Sequence, residues 1–146
     1  MTDLALDEIS PAELLKDVLV RLSDPSLAPA GVVIGPAKDS QQQAGVISLM
    51  DAGMPVVEFY VPTISVRTQV RCLAGTLEMA DRIGRGVQRD LNGRTRVLAR
   101  MASTDKKYLI HFINMGQGPS MHLDSAETWE LLMAVEMTLG TDAVER

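Results

Sequence analysis

The side chains that could perform catalysis or hold a metal are few in this 146-residue sequence. The histidines are His111 and His122, and Cys72 is the single cysteine, so neither an intrachain disulfide nor a zinc–cysteine cluster is available. His122 and Asp124 could offer two metal ligands, but a tetrahedral site needs two more, and no neighbouring residue supplies them at a recognisable spacing. Cys72 falls inside a predicted strand, where a lone thiol behaves as a small apolar residue.

The sequence also lacks the common motifs of enzyme active sites. It contains no Gly-x-Ser-x-Gly nucleophile elbow and no glycine-rich dinucleotide fingerprint. Gly35, Lys38 and Ser40 do not have the spacing of a phosphate-binding loop, in which lysine directly follows the second glycine. We therefore predict that the protein is not an enzyme and that it uses no cofactor.

A long strand is predicted over residues 64–74, where apolar and polar residues alternate. One face of this strand is apolar, and the other carries Arg67, Gln69 and Arg71. A face with only polar residues must contact water, pair with another subunit, or line a channel. These two arginines are therefore candidate interface residues.

A helix is predicted over residues 76–91, because apolar residues recur there at helical spacing. Arg82, Arg85 and Arg89 follow a neighbouring face of that helix. The simplest alternative is a solvated face on which Glu78 pairs with Arg82 one turn later. Gly84 and Gly86 are unfavourable inside a helix, so they are expected where the sheet or another backbone approaches closely.

The first third of the chain predicts one helix and one short strand. Ser10, Pro11 and Glu13 form a helix start with a capping box, and leucines and valines then recur at helical spacing. Residues 31–35 are apolar enough for a strand. Residues 36–45 are polar and irregular, which predicts a loop.

The rest of the chain predicts mostly strands. Residues 46–50 form a short apolar run of uncertain type, and Pro62 interrupts a strand. Strands are predicted over residues 56–61, 94–102, 107–114 and 127–139. Residues 94–114 form an antiparallel hairpin, and residues 115–126 form a glycine–proline connector. Helix periodicity is the alternative for the final segment, but alternation around tryptophan and valine favours a strand.

The predicted fold class is α+β: an N-terminal helix, a mostly antiparallel sheet and one long helix packed across its apolar face. We expect a single domain over residues 1–146, with residues 1–9 as a flexible leader. The net charge is −5, which argues against a dedicated nucleic-acid binder. The acidic start is no signal peptide, and no apolar run is long enough to span a membrane.

The order of these elements resembles that of the tail terminator proteins of long-tailed bacteriophages, also called tail completion or minor capsid proteins. The resemblance rests on short motifs spread over residues 10–140. The matching residues are Val70, Arg71, Ala80, Ile83, Gly118, Pro119, Leu123 and Asp124. The sequence departs from the family at Cys72, where glycine is frequent, and the usual aromatic of the last strand is missing unless Trp129 replaces it.

This resemblance implies a structural virion protein assembled in the host cytoplasm. Six copies would close the end of a tail tube as a ring and join it to the head connector. Double-stranded DNA would pass through the ring without specific binding, which suits an acidic protein because a basic lumen would hold phosphates. The expected partners are other copies of the chain, the tail tube protein and the head–tail connector, with no membrane.

The same resemblance assigns expected roles to named residues. The interface arginines would form salt bridges between subunits, because the planar guanidinium fork can donate two hydrogen bonds to one carboxylate. These interface residues are Arg67, Gln69, Arg71, Arg82, Arg85 and Arg89. Two loops, residues 36–45 and 115–126, would dock the tube or the connector. The docking residues are Lys38, Asp39, Gln117, His122 and Asp124.

The alternative function is a small α+β module that binds RNA or single-stranded DNA through its arginine-bearing sheet face. Such a module normally stacks bases on aromatic side chains. The sequence has only two Phe, two Tyr and one Trp, and none stands beside Arg67 or Arg71. A small-molecule enzyme ranks third, because no acid, base or nucleophile set can be named.

Overall fold

A computed structural model describes residues 9–24, 26–52, 56–57, 63–123 and 128–140. For residues 56–57 and 116–119 only the backbone is considered. The elements, in chain order, are α1 (Pro11–Leu22), β1 (Val32–Ile34), α2 (Asp39–Ala44), β2 (Val46–Asp51), β3 (Val56–Val57), β4 (Thr63–Ala74), α3 (Leu77–Leu91), β5 (Thr95–Arg100), β6 (Lys107–Leu123) and β7 (Trp129–Gly140).

These strands form one seven-stranded sheet in the order β1-β2-β4-β7-β6-β5, with β3 pairing the other end of β4. The β1–β2 pair is parallel, and every other pair is antiparallel. Both α1 and α3 pack on the same apolar face of the sheet. The predicted α+β class, with a mostly antiparallel sheet and one long helix across it, is therefore confirmed.

Helix α1 begins where the sequence predicts. The Ser10 hydroxyl accepts from the Glu13 amide at 3.4 Å, and Pro11 occupies the first turn. The predicted capping box is only half made, because both Glu13 carboxylate oxygens accept from Ser103, each at 2.9 Å. A second acceptor comes from β2, where Asp51 Oδ1 lies 2.7 Å from the Ala12 amide nitrogen.

The polar side of α1 covers the outer edge of β5. Asp17 accepts from the Arg100 amide at 3.0 Å, and the Arg21 guanidinium donates to the Leu98 carbonyl. These side chains satisfy backbone groups that a neighbouring strand would otherwise bond. Helix α1 also contacts β1, so it bridges strands at opposite ends of the sheet.

The two glycines of helix α3 each allow a close contact, Gly84 with the sheet and Gly86 with the loop between α1 and β1. A Cβ added at Gly84 would come within 1.8 Å of Leu131 Cδ2 in β7, and one at Gly86 within 2.4 Å of Leu27 Cδ1. The prediction of close approach by the sheet is thus confirmed at Gly84, whereas Gly86 makes room for the side chain of a loop residue. Thr76 caps the start of the helix, and Gly93 takes a left-handed φ of 79° just beyond its end.

The long strands β4 and β7 agree with the predicted alternation. In β4 every second residue from Ile64 to Cys72 is buried, and in β7 every second residue from Leu131 to Leu139 is buried. The two strands pair from Thr63 opposite Gly140 to Ala74 opposite Trp129. The strand interpretation of the final segment is confirmed, and its helical alternative is wrong.

Two loop predictions are wrong. Residues 39–44 form the short helix α2, supported by local bonds such as Lys38 N to Gln41 Oε1 at 2.9 Å. The glycine–proline connector continues β6 as far as Leu123, and two register shifts interrupt its pairing with β7. Bulges accommodate glycine and proline in a strand, and the long regular β7 supplies the partner.

Other predicted boundaries shift or fall outside the described residues. The uncertain run at 46–50 is strand β2, and the hairpin pairs Arg100 with Lys107. The predicted strand over 56–61 is described only at Val56–Val57, and Pro62 lies outside the described residues. Residues 1–8 of the expected leader also lie outside them, while Ile9 is buried.

Candidate assembly surface

The second face of the sheet carries a set of polar residues, here called the polar sheet face. Its members are Arg67, Gln69 and Arg71 of β4, Glu130 and Glu136 of β7, and Asn114, Ser120 and His122 of β6. Directly opposite residues of antiparallel strands share a face, so the β4–β7–β6 register brings these side chains together. Neither α1 nor α3 covers this face, because both lie on the apolar side.

The two strand arginines form salt bridges within the chain. Arg67 Nε lies 3.3 Å from Glu136 Oε2, its directly opposite residue, and Arg71 Nη2 lies 2.7 Å from Glu130 Oε2 on a diagonal. The first pair is the more exposed: the side chains of Arg67 and Glu136 are 68% and 34% exposed, whereas those of Arg71 and Glu130 are 30% and 15% exposed. The charges thus link β4 to β7 inside one subunit, and a role between subunits stays a prediction.

A cleft of about 430 Å³ opens on the polar sheet face. Arg67, Gln69, Asn114, Ser120 and Glu136 line it, together with Ala52 and residues 132–135. The lining mixes both signs of charge with amides, a hydroxyl and aliphatic carbon. Such a surface suits contact with another protein, since interface rims combine polar groups with small apolar areas.

The helix arginines form a second surface, here called the arginine ridge: Arg82, Arg85 and Arg89 of α3. Arg85 pairs with Asp81 at 2.8 Å, and Arg89 pairs with Asp90 at 3.1 Å. The hydrogen bond to Asp90 raises the pKa of Arg89, which favours the charged form of this guanidinium. Arg82 is exposed and has no salt-bridge partner among the described residues.

The predicted Glu78–Arg82 helix pair is not formed. Both side chains are exposed and stand one turn apart, but the ion pair at this spacing in α3 joins Asp81 to Arg85 instead. The alternative interpretation, in which the ridge is a solvated face, predicted this Glu78–Arg82 pair, and that part of it is wrong. Glu78 and Arg82 are both exposed to solvent in the single chain.

The predicted docking residues fall on two different elements. Lys38 and Asp39 are exposed at the start of α2. Gln117 and His122 lie on β6 rather than in a loop, and Asp124 lies outside the described residues. Lys38 and Asp39 are thus on a different element from Gln117 and His122. Strand β6, which carries Gln117 and His122, is part of the same sheet as the strand arginines.

Chemically reactive groups do not converge on either surface. Among the described residues no group of three His, Cys, Asp or Glu side chains could hold a metal. The His122 ring lies 3.0 Å from the Ser120 hydroxyl, but both are exposed, and no described carboxylate is bonded to this imidazole. Burial raises the pKa of the Cys72 thiol to about 12, which keeps it protonated and unreactive.

Sequence reasoning missed the acidic partners of the strand arginines. Glu130 and Glu136 are visible in the sequence as the charged residues of an alternating strand, on the side opposite its apolar positions. The missing information was the register, since only pairing β4 with β7 sets Arg67 beside Glu136. The sequence carried only a partial signal, because the arginines are four apart on one strand and the glutamates six apart on the other, so only one pair is directly opposite.

The fold is similar to that of a chain in a solved particle, described as the "Virion of native gene transfer agent (GTA) particle". The TM-score is 0.63 at 13% identity, and the match covers 94% of this chain and 99% of that chain. No protein-family profile and no curated protein sequence matches. At this identity the likeness is one of fold. Within the described residues no helix is both long and apolar enough to cross a membrane.

Proposed function

We propose that this protein is a non-enzymatic structural subunit of a phage-like virion, acting as a tail terminator. Six copies form a ring on the last turn of a tail tube, and the ring joins the tube to the head connector. The observation that carries this proposal is the fold shared with a virion chain over nearly the full length of both chains. The resemblance of the element order to tail terminators supplies the specific role.

The surfaces of the subunit support an assembly role. The helices cover one side of the sheet, whereas the polar sheet face and the arginine ridge carry exposed charges of both signs. Closed rings use two different patches on each subunit that meet head to tail. A subunit with separate charged surfaces on the sheet and on α3 has the patches that such a ring requires.

The net charge suits a ring through which DNA moves. The chain carries 19 acidic and 14 basic residues, giving −5. Phosphate contacts by lysine and arginine would hold DNA and slow its passage. Arg67, Arg71, Arg85 and Arg89 each already pair with a carboxylate of the same chain, which reduces their attraction for phosphates.

The docking residues are proposed to contact the neighbouring rings of the virion. Lys38 and Asp39 stand at the start of α2, and Gln117 and His122 lie on β6. Asp124, the remaining proposed docking residue, lies outside the described residues. Exposed helix starts and strand ends are able to accept an added partner without changing the core. A charge-reversed variant of Lys38 and Asp39 tests whether α2 contacts the tube.

Tube growth provides the test of this function. Tail tube protein of the same particle is polymerised with and without the purified chain, and tube lengths are measured by negative-stain electron microscopy. A terminator shortens the tubes in proportion to its concentration and labels one end only. A matched variant with Lys38→Glu and Asp39→Lys should keep its fold while losing end binding if α2 docks the tube. Unchanged lengths with unlabelled ends would contradict the proposal.

One observation favours a second function, the nucleic-acid-binding module. Residues 82–100 contain six arginines and one aspartate, a local net charge of +5 in a chain of −5. A basic stretch of this kind can bind phosphates. Filter binding of a single-stranded oligonucleotide over a salt titration decides between the two: retention at physiological salt supports this module, and loss of binding there supports the terminator.

A further inference from the structure

The hairpin of β5 and β6 presents apolar and basic side chains on the side of the sheet that the helices leave uncovered. Leu98 lies directly opposite Leu109, and Arg100 lies directly opposite Lys107, so these four side chains share one face. Tyr108, between Lys107 and Leu109, is buried in the core on the other face. The surface called here the hairpin patch consists of Leu98, Arg100, Lys107, Leu109 and Phe112.

The apolar part of the hairpin patch is exposed. Leu98 is 38% exposed and Phe112 is 43% exposed. Phe112 reaches this side because a register shift after Ile110 sets it opposite Thr138, on the polar side of β7. Two large apolar side chains in an otherwise basic region indicate a surface that another segment covers.

The hairpin is also a basic part of an acidic chain. Residues 94–112 contain three arginines, two lysines and one aspartate, a net charge of +4 in a chain of −5. Arg100 and Lys107 are like charges on directly opposite residues, an arrangement that is unfavourable without an anion nearby. Asp105 pairs with Arg100, whereas Lys107 has no salt-bridge partner among the described residues. An acidic partner with apolar side chains would therefore complement the hairpin patch.

Residues 1–8 of the same chain have this composition. Their side chains carry a net charge of −3, against +4 for the hairpin. The acidic residues are Asp3, Asp7 and Glu8, and the leucines are Leu4 and Leu6. Because the leucines are two residues apart, both would point to the same side of an extended chain.

The structure fixes the place where this segment joins the fold. Ile9 is buried, and helix α1 begins two residues later. Both Glu13 carboxylate oxygens accept from Ser103, each at 2.9 Å, and Ser103 lies in the turn between β5 and β6. The start of α1 is thus bonded to the turn of the hairpin that carries the patch. Eight extended residues span about 26 Å, and Leu98 is at most about 17 Å along the strand from Ser103, so the patch is within reach.

We propose that residues 1–8 bind the hairpin patch of their own chain. The leucines cover the exposed apolar side chains of the patch, and the carboxylates lie at its basic rim near Lys107. The same copy is the partner because the start of α1 is already bonded to its own hairpin turn. The bound segment competes with other acidic ligands for the patch, including nucleic-acid phosphates. This inference does not rest on the tail terminator function.

Carbodiimide cross-linking of the full chain, read out by mass spectrometry, tests this contact. The reagent joins a carboxylate to a lysine amine without a spacer, so only groups in contact are linked. The carboxylates of residues 1–8 should link to Lys107. Lys38 is the matched control lysine, because it is exposed and precedes α2, whereas the start of α1 is bonded to Asp51 at the other end of β2. A mixture of unlabelled and isotope-labelled chains shows whether the linked residues belong to one copy.

Replacing both leucines of the segment tests its apolar contact, because the carboxylates stay available to the reagent. The chain with Leu4→Ser and Leu6→Ser should give an Lys107 cross-link yield lower by about threefold or more, since the apolar area is no longer buried. Val20→Ser is the matched control and should leave the yield unchanged, because Val20 is 60% exposed on α1 outside the patch. Thermal unfolding verifies that each variant is folded.

Neutralising the acids tests the competition with phosphates. The chain with Asp3→Asn, Asp7→Asn and Glu8→Gln should retain a single-stranded oligonucleotide about threefold better or more than the unaltered chain, because the basic hairpin is then uncovered. Filter binding at physiological salt measures this, and unchanged retention would contradict the proposed competition.

Three cross-linking results would overturn the proposal. The first is an Lys107 link to residues 1–8 that is no more frequent than the Lys38 link. The second is linking only between labelled and unlabelled copies, which would show exchange of the segment between chains. The third is a serine variant that links as well as the unaltered chain. If Lys107 gives no such link and the unaltered chain retains the oligonucleotide, the patch binds nucleic acid and the proposal is wrong.

Discussion

Arg71 Nη2 lies 2.7 Å from Glu130 Oε2, on a diagonal between β4 and β7, and only 30% and 15% of these side chains are exposed. The pair joins β4 and β7, two 12-residue strands that pair along their whole length, on the polar sheet face. A nearly buried carboxylate depends on its cation, because it has lost much of its hydration. We therefore expect this salt bridge to stabilise the folded single chain, whatever contacts it makes in an assembly.

Replacing Arg71 by methionine should lower the free energy of unfolding by about 1–3 kcal/mol, because Glu130 is left partly desolvated without its cation. Arg67→Met is the matched control and should cost less than about 1 kcal/mol, since its pair with Glu136 is exposed. Urea denaturation measures both. Equal losses for the two variants would show that burial does not distinguish these pairs.

Because of this salt bridge, a charge reversal at Arg71 is a poor test of contacts between subunits. Arg71→Glu sets two carboxylates together within one subunit, so a weaker ring could reflect a less stable monomer. Arg82→Glu avoids this ambiguity, because Arg82 has no salt bridge among the described residues that could be lost.

Gly84→Ala should destabilise the protein by about 1–3 kcal/mol despite the better helix propensity of alanine, because its Cβ collides with buried Leu131. Gly86→Ala is the control. Its Cβ meets the tip of Leu27, a partly buried loop residue with room to move, so the loss should be smaller. Thermal denaturation compares them, and a Gly84→Ala protein as stable as the original would contradict the close packing.

Thr68→Val should stabilise the fold or leave it unchanged, within about 1 kcal/mol, because the buried Thr68 hydroxyl has no hydrogen-bond partner among the described residues. Thr128→Val makes the same chemical change where the hydroxyl accepts from Gln43 at 3.1 Å, and it should be destabilising. The free energies of unfolding of both variants decide the matter. A marked loss for Thr68→Val would indicate a partner for that hydroxyl.

The Cys72 thiol should resist alkylation by iodoacetamide at pH 8 until the protein unfolds, because burial raises its pKa to about 12. Its ordinary pKa is 9.0, so between pH 9 and 12 the unfolded chain loses a proton that the folded chain keeps. This contribution to stability is therefore complete below pH 9 and is lost as the pH rises above it. Cys72→Val should remove that part of the alkaline destabilisation, and rapid labelling of the native protein would contradict the assignment.

The long elements were predictable because their residues repeat one pattern many times. Alternation in β4 and helical spacing in α3 each continue over more than ten residues, so a few exceptions do not obscure them. Helix α2 has only six residues, too few to show a periodicity, and it is held by local bonds such as Lys38 N to Gln41 Oε1.

The strand beyond Asn114 was hidden by glycine and proline, which normally end a strand. Its continuation depends on β7, a partner far along the chain, and on bulges that absorb the extra residues. The candidate site was predictable only in part for the same reason. The residue types were visible, but whether Arg67 and Arg82 have partners depends on register and on side-chain contacts that one sequence does not contain.

The most direct test of the tail terminator assignment is electron cryo-microscopy of the chain mixed with tail tubes of its own particle. If the protein is a tail terminator, a single ring of six subunits is expected on one end of each tube, with its channel continuous with that of the tube. Tubes with bare ends, or subunits bound along the tube walls, would contradict it.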